Sequence, residues 1–212
     1  PTHLTAGGAN RKAPPMAGSL LSTQRRGGLF NPRAQPPFGE FVALIAMMFA
    51  TIALSIDAML PALPQIAHEL DLANPNRAQI IIPVFMAGIG LGQLFAGPLS
   101  DSFGRRRIIV IGVAIYIMGS LTAYLSHSFE LLLVARFLQG IGASAPRIVG
   151  VAIVRDRYEG RMMARVMSFV MTLFILVPAI APLFGTFVIH LAGWRSIFLV
   201  LAFAGAVMAV SY

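Results

Sequence analysis

After residue 40, short polar breaks cut the chain into six apolar runs, at about 41–63, 78–99, 108–125, 131–154, 166–191 and 197–212. A helix of roughly 20 apolar residues crosses a bilayer, and five of the runs are near that length or longer. The sixth is short of it. Inside hydrocarbon no water reaches the peptide groups, so each run must satisfy its own backbone and is predicted to be a helix. The fold class follows as all-α: a polytopic membrane protein whose residues 40–212 form one six-helix transmembrane domain. Composition agrees. Only 11% of the residues are charged and 57% are hydrophobic, against about 25% charged in soluble domains. There is no cysteine, which excludes disulfides, thiolate metal sites and cysteine nucleophiles.

Residues 1–39 are rich in Pro, Gly, Ser and basic side chains, and read as a disordered basic cytoplasmic tail. They lack an apolar core followed by a small-residue cleavage site, so no signal peptide is read there. The chain opens on Pro1, and Met16 is a candidate start.

Charge orients the runs. If the amino terminus is cytoplasmic, twelve of the 16 Lys and Arg residues fall inside: in the tail, at Arg105, Arg106 and Arg107, and in the stretch 155–165. Two fall outside, Arg77 and Arg195. The remaining two, Arg136 and Arg147, lie within the fourth run. The excess is a positive-inside signal, and it accounts for the net charge of +8 without nucleic acid. The stretch GPLSDSFGRRR, residues 97–107, is then predicted to be a polar cytoplasmic loop. His127 and His190 fall near span ends and read as interfacial residues. Gly193, Trp194 and Arg195 read as an interfacial turn, with the indole among headgroups.

Three charges are predicted inside the membrane. Asp57 precedes the outer end of its run by about six residues, and Arg136 follows the outer start of its own by about the same. At 1.5 Å per residue both lie roughly 9 Å below the outer surface. An arginine at a helix centre costs at least ~2.5–3.5 kcal/mol on insertion, so it normally faces a cavity or a partner. Arg147 follows Arg136 by about three turns on nearly the same face, and Gln139 extends the stripe. Two readings stand. One is a water-accessible cavity lined by Asp57, Arg136, Gln139 and Arg147, in which a carboxylate with changing access or partner loads and releases a proton. The other is a fixed ion pair that locks two helices together.

The stretch 97–107 resembles the signature G-x-L-x-D-x-x-G-R-R of the major facilitator superfamily, through Gly97, Leu99, Asp101, Gly104, Arg105 and Arg106. Ser102 stands where that family often has a basic residue. The fourth run supplies a second match, R-F-L-Q-G-I-G-A, through Arg136, Gln139, Gly140 and Gly142. The fifth run, PAIAPLFGT, partly resembles the antiporter motif of drug exporters. Pro178 and Pro182 are expected to interrupt or bend the helix there, with Gly185 also fitting, while Ala181 and Thr186 replace glycines. LSIDAMLPALPQIA in the first run resembles the Bcr/CflA drug-resistance subfamily.

The resemblance implies twelve helices in two six-helix halves around a central cavity, each half built of 3+3 inverted repeats. The six runs here correspond to the N-terminal half, and a C-terminal six-helix half is the expected partner of what reads as a fragment. It also implies secondary active transport: the expected substrates are drugs or other small lipophilic molecules, cationic or neutral, exported across the bacterial inner membrane against protons. The arginine of the second motif is linked to proton coupling in proton-driven members. Arg155 and Asp156 are the expected neighbours of Asp101 in a cytoplasmic gating loop. No enzyme activity, cofactor or metal is expected: the chain has neither an H-E-x-x-H motif nor a phosphate-binding glycine loop with its lysine. A non-transporting accessory or degenerate half-transporter, or a transporter of another metabolite, remain as alternatives.

Overall fold

The computed structural model describes residues 38–211, and these contain no β-strand. The tail predicted over 1–39 lies outside the described residues except for its last two, which already belong to the first helix. That helix, α1, is Phe38–Asp57, followed by a 3-10 turn Leu60–Ala62 and a short α2, Leu63–Glu69. A second 3-10 segment, Pro75–Ile80, leads into α3, Ile81–Phe103. Then come α4 (Arg105–Tyr124), α5 (Phe129–Arg157), α6 (Gly160–Ala192) and α7 (Arg195–Ser211). Five helical segments are long and apolar enough to cross a membrane; the apolar run of α7, Arg195–Val210, is shorter. The architecture is the six-helix half predicted from the apolar runs.

The helices extend past those runs, and the predicted loops shrink accordingly. The stretch 97–107 is not a loop. α3 continues to Phe103, α4 begins at Arg105, and Gly104 alone turns the chain. Its φ of 88° lies in the left-handed region, where a side chain would meet the backbone and glycine does not. Arg161 and Arg165 likewise sit on α6, because only Tyr158 and Glu159 separate it from α5. Polar ends can stay helical where they emerge into water, so apolar length underestimates helix length.

The prolines divide into two groups. Pro61 and Pro64 break the first span: α1 ends at Asp57 and the chain passes through a 3-10 turn before α2. Pro178 and Pro182 do not interrupt α6, which runs as one helix of 33 residues. Proline removes one backbone donor and crowds the preceding turn. In α6 the Thr186 hydroxyl donates to the Pro182 carbonyl at 2.9 Å. Neighbouring groups of this kind let transmembrane helices absorb proline.

α5 is the centre of packing. It lies between α3 and α4; α4 in turn packs on α7, and α1 packs on α6, α5 and α7. The approach to α3 and α4 is through small residues. A methyl group on Gly140 would strike the Phe85 carbonyl and lie 3.0 Å from the Ile89 nitrogen. On the other side, one on Gly142 would strike the Tyr116 nitrogen and lie 2.6 Å from the Gly112 carbonyl. Helices in lipid gain little from burying apolar surface, so close backbone contact supplies much of the attraction. Large apolar side chains instead face outward, among them Leu94, Ile175 and Leu183. Gly142→Leu is expected to force α4 and α5 apart and to destabilise the domain by about 1–3 kcal/mol or more. A lowered melting temperature in detergent would register this; an unchanged one would show that the seam tolerates bulk.

Candidate functional site

The break at the end of α1 releases a backbone acceptor. In an unbroken helix the Ser55 carbonyl would receive the Met59 N–H. Here the Met59 N–H donates to the Ile56 carbonyl instead, at 3.3 Å. The Ser55 carbonyl is taken by Arg136 of α5, whose Nη2 donates to it at 3.0 Å. The same guanidinium donates through Nη1 to Gln139 Oε1 at 2.7 Å. It lies over the Phe85 ring, 4.3 Å from the centroid, and 5.9 Å from that of Phe198. Arg136 and Gln139 are both 0% exposed.

The chain of bonds continues into α4. Gln139 Nε2 donates to Ser120 Oγ at 2.7 Å, and Ser120 Oγ donates to the Tyr116 carbonyl at 2.8 Å. Ser55 Oγ gives its proton to the Thr51 carbonyl at 2.6 Å. The 2.7 Å contact between Ser55 Oγ and the Tyr116 hydroxyl is then donated by tyrosine. Four helices therefore meet at one guanidinium: α1 and α5 through hydrogen bonds, α3 and α7 through ring faces. No carboxylate joins it among the described residues. Its charge is balanced by dipoles and ring faces, and Nε alone has no partner. Buried charges are tolerated where such groups replace water.

Asp57 lies two residues beyond Ser55, so α1 brings it to nearly the depth of Arg136. It is half-buried and forms no ion pair or hydrogen bond among the described residues. The fixed-pair reading of Asp57 and Arg136 therefore does not describe this conformation. Two residues along a helix is a rotation of about 200°, which turns Asp57 away from the face that carries Ser55. Gly185 of α6 meets α1 at the same break: a methyl group on it would strike the Ala58 carbonyl. Arg147 stands apart from Arg136. It is half-buried and lines a groove between α3 and α5 with Gln93, Ile148, Val151, Ala152 and Arg155.

At the basic end, Arg105 of α4 forms an ion pair with Asp156 of α5. Asp101 is exposed and has no ion pair among the described residues. The expected contacts of Asp101 with Arg155 and Asp156 are thus replaced by one from Arg105. The physical reason is the single-residue turn: α3 stays helical to Phe103, which leaves Asp101 exposed on the side of the helix and delivers the first residue of α4 to the end of α5. Arg106 is exposed, as is Leu99. Gly97 meets nothing within 4 Å, so it packs no partner here.

The opposite end carries a cluster that differs from the expected interfacial turn. Trp194 is 0% exposed. Its Nε1 donates to Glu69 Oε2 at 2.8 Å, and Arg195 Nη1 donates to the same oxygen at 2.6 Å. Glu69 is the partner of the indole, and the start of α7 is tied to the end of α2.

Ser55, Tyr116 and Ser120 were not predicted. A signal for them exists: Thr51 with Ser55, and Tyr116 with Ser120, are polar pairs four residues apart in otherwise apolar helices. That spacing places each pair on one helical face. Nothing in the sequence points to Phe85 or to the Ser55 carbonyl.

The described residues thus form a helical bundle with five helices long and apolar enough to cross a membrane, packed on small residues around a buried polar network, with an ion pair at its basic end. Residues 43–212 match the Major Facilitator Superfamily, and the chain belongs to that family. It is 37% identical over 164 residues to an uncharacterized MFS-type transporter, YdgK, of Bacillus subtilis, covering 76% of this chain and 40% of the relative. It is 33% identical over 172 residues to a bicyclomycin resistance protein homolog of Haemophilus influenzae, covering 80% and 42%. The multidrug resistance protein MdtL of Vibrio parahaemolyticus is 35% identical over 156 residues, covering 74% and 39%. The chain thus spans about two fifths of the length of these relatives.

Gln139→Leu would leave Arg136 Nη1 without an acceptor and is expected to destabilise the domain by about 1–3 kcal/mol. Tyr116→Phe removes one bond and is expected to cost about 0.5–1.5 kcal/mol. Melting curves in detergent compare the two; equal and negligible shifts would show that the network contributes no stability.

Proposed function

We propose that this half belongs to a proton-coupled exporter of drugs or other small lipophilic molecules in the bacterial inner membrane. The basic end is the cytoplasmic one, with the amino terminus on the same side. Transport, not chemical conversion of the substrate, is the activity. The observation that carries the reading is the buried Arg136, held without a carboxylate against the broken end of α1, two residues from an unpaired Asp57. The names of the bicyclomycin and multidrug resistance relatives support the substrate class.

The mechanism follows from that arrangement. Asp57 is an ionisable group at a helix break, in a segment that is otherwise apolar. Protonation removes its charge and changes the cost of closing the membrane around it. Arg136 and Gln139 hold the break in one geometry through the Ser55 carbonyl. A change in the charge state of Asp57 can thereby bias the relative position of α1 and α5, and with it the access of a cavity shared with the complementary half. Arg147 lines the cytoplasmic part of that path. The Arg105–Asp156 pair joins α4 to α5 at the cytoplasmic end, and Asp101 is free to meet a partner in the complementary half.

Two experiments test this, each with the complementary six-helix half present. Asp57→Asn in proteoliposomes is expected to abolish drug-dependent proton flux while drug binding remains; retained flux would remove Asp57 from coupling. Asp101→Ala is expected to lower the transport rate at an unchanged level of inserted protein. An unchanged rate would reduce the segment 97–107 to a topological anchor.

A further inference from the structure

The groove between α3 and α5 has a charge pattern that the coupling network does not use. Its volume is about 360 Å³, and its lining includes Gln93, Arg147 and Arg155 but no Asp or Glu. Arg136 is satisfied by Gln139 and the Ser55 carbonyl. Arg147 and Arg155 have no ion pair and no hydrogen bond among the described residues. Asp156, next in sequence to Arg155, is engaged by Arg105. The two free guanidinium groups are eight residues apart, about 12 Å along α5. Arg155 lies near the helix end and is exposed, whereas Arg147 is half-buried and about 15 Å further in than Arg157.

We infer that this groove is an anion-binding inlet, and that the cargo it accepts carries a carboxylate or a comparable acidic group on an apolar body. The inference rests on the transporter reading above and names its substrate class. An arginine fork matches a carboxylate with two parallel hydrogen bonds. A half-buried guanidinium without a protein counterion is an incomplete pair, and a ligand oxygen completes it. Arg155 attracts the anion at the mouth, Arg147 binds it, and Gln93 supplies an amide donor from the facing helix. Ile148, Val151 and Ala152 offer apolar contact between the two charges. Depth selects cargo over lipid: a phosphate headgroup sits near the helix ends, at the level of Arg155, and Arg147 lies well below it. A drug that is neutral or cationic gains nothing from this lining, so the expectation of cationic or neutral substrates is revised for this groove.

The test uses the protein with its complementary half, in phosphatidylcholine nanodiscs, and two probes that share an apolar body: 1-pyrenebutyrate and 1-pyrenebutanol. The acid is expected to bind about tenfold or more tightly than the alcohol, as hydrogen bonds to charged groups imply. Arg147→Gln is expected to remove that preference, Arg147→Lys to retain part of it, and Arg155→Gln to weaken it less and to flatten its salt dependence. Melting curves establish that each variant is folded; if Arg147→Gln is not, Arg147→Lys and Gln93→Leu carry the comparison. Equal binding of the two probes overturns the inference, as does a preference unchanged by Arg147→Gln. Loss of pyrenebutyrate binding on adding a few mole percent phosphatidylglycerol assigns the groove to a lipid headgroup and also overturns it. Loss of proton coupling with this binding preference intact would overturn the coupling mechanism alone.

Discussion

A carbonyl freed from its helix inside a membrane has no water to turn to, and must find a donor in the protein. The break at the end of α1 creates that need at Ser55, and Arg136 meets it. The reverse need is equally strict, because a guanidinium in the same place requires acceptors. Each defect in the apolar interior is thus the remedy for the other. Gln139, Ser120, Tyr116 and Thr51 pass the remaining bonds along until they end on backbone carbonyls. The result ties a broken helix to the most central unbroken one.

That connection works because α5 is rigidly seated. Gly140 faces α3 and Gly142 faces α4, and neither position has room for a methyl group. Small residues on two faces of one helix make it a common wall for both neighbours. The side chain of Arg136 then projects from a fixed backbone, over Phe85 on one neighbour and beside Tyr116 on the other. α1 is held through the network, through α7, and along α6, where Phe41, Ile45, Met48 and Phe49 share a buried cluster with Val166 and Val170.

The two ends of the domain are closed by different means. At the basic end an ion pair joins α4 to α5 close to where the single glycine turns the chain. At the other end Glu69 binds both Trp194 and Arg195 and draws α2 to α7. Between them, the groove with Arg147 and Arg155 has no acid among its described lining residues.

The apolar helical runs, their order and the residues that place charge among them were legible in the sequence, because lipid demands a long apolar run for every crossing and penalises each exception. Asp57, Arg136, Gln139 and Arg147 stood out as such exceptions. Loop lengths were less legible: a helix does not stop where hydrophobicity does, so the stretch 97–107 reduced to a turn at Gly104, and α6 passed through Pro178 and Pro182. Partnerships were not legible at all. Asp156 belongs with Arg105, Trp194 with Glu69, and Arg136 with a backbone carbonyl that no residue pattern announces. By itself the sequence determined that six apolar runs become helical and which of their residues are costly in lipid. Which atoms meet those costs was decided only when the helices packed, since a hydrogen bond depends on distance and direction across neighbours far apart in the chain.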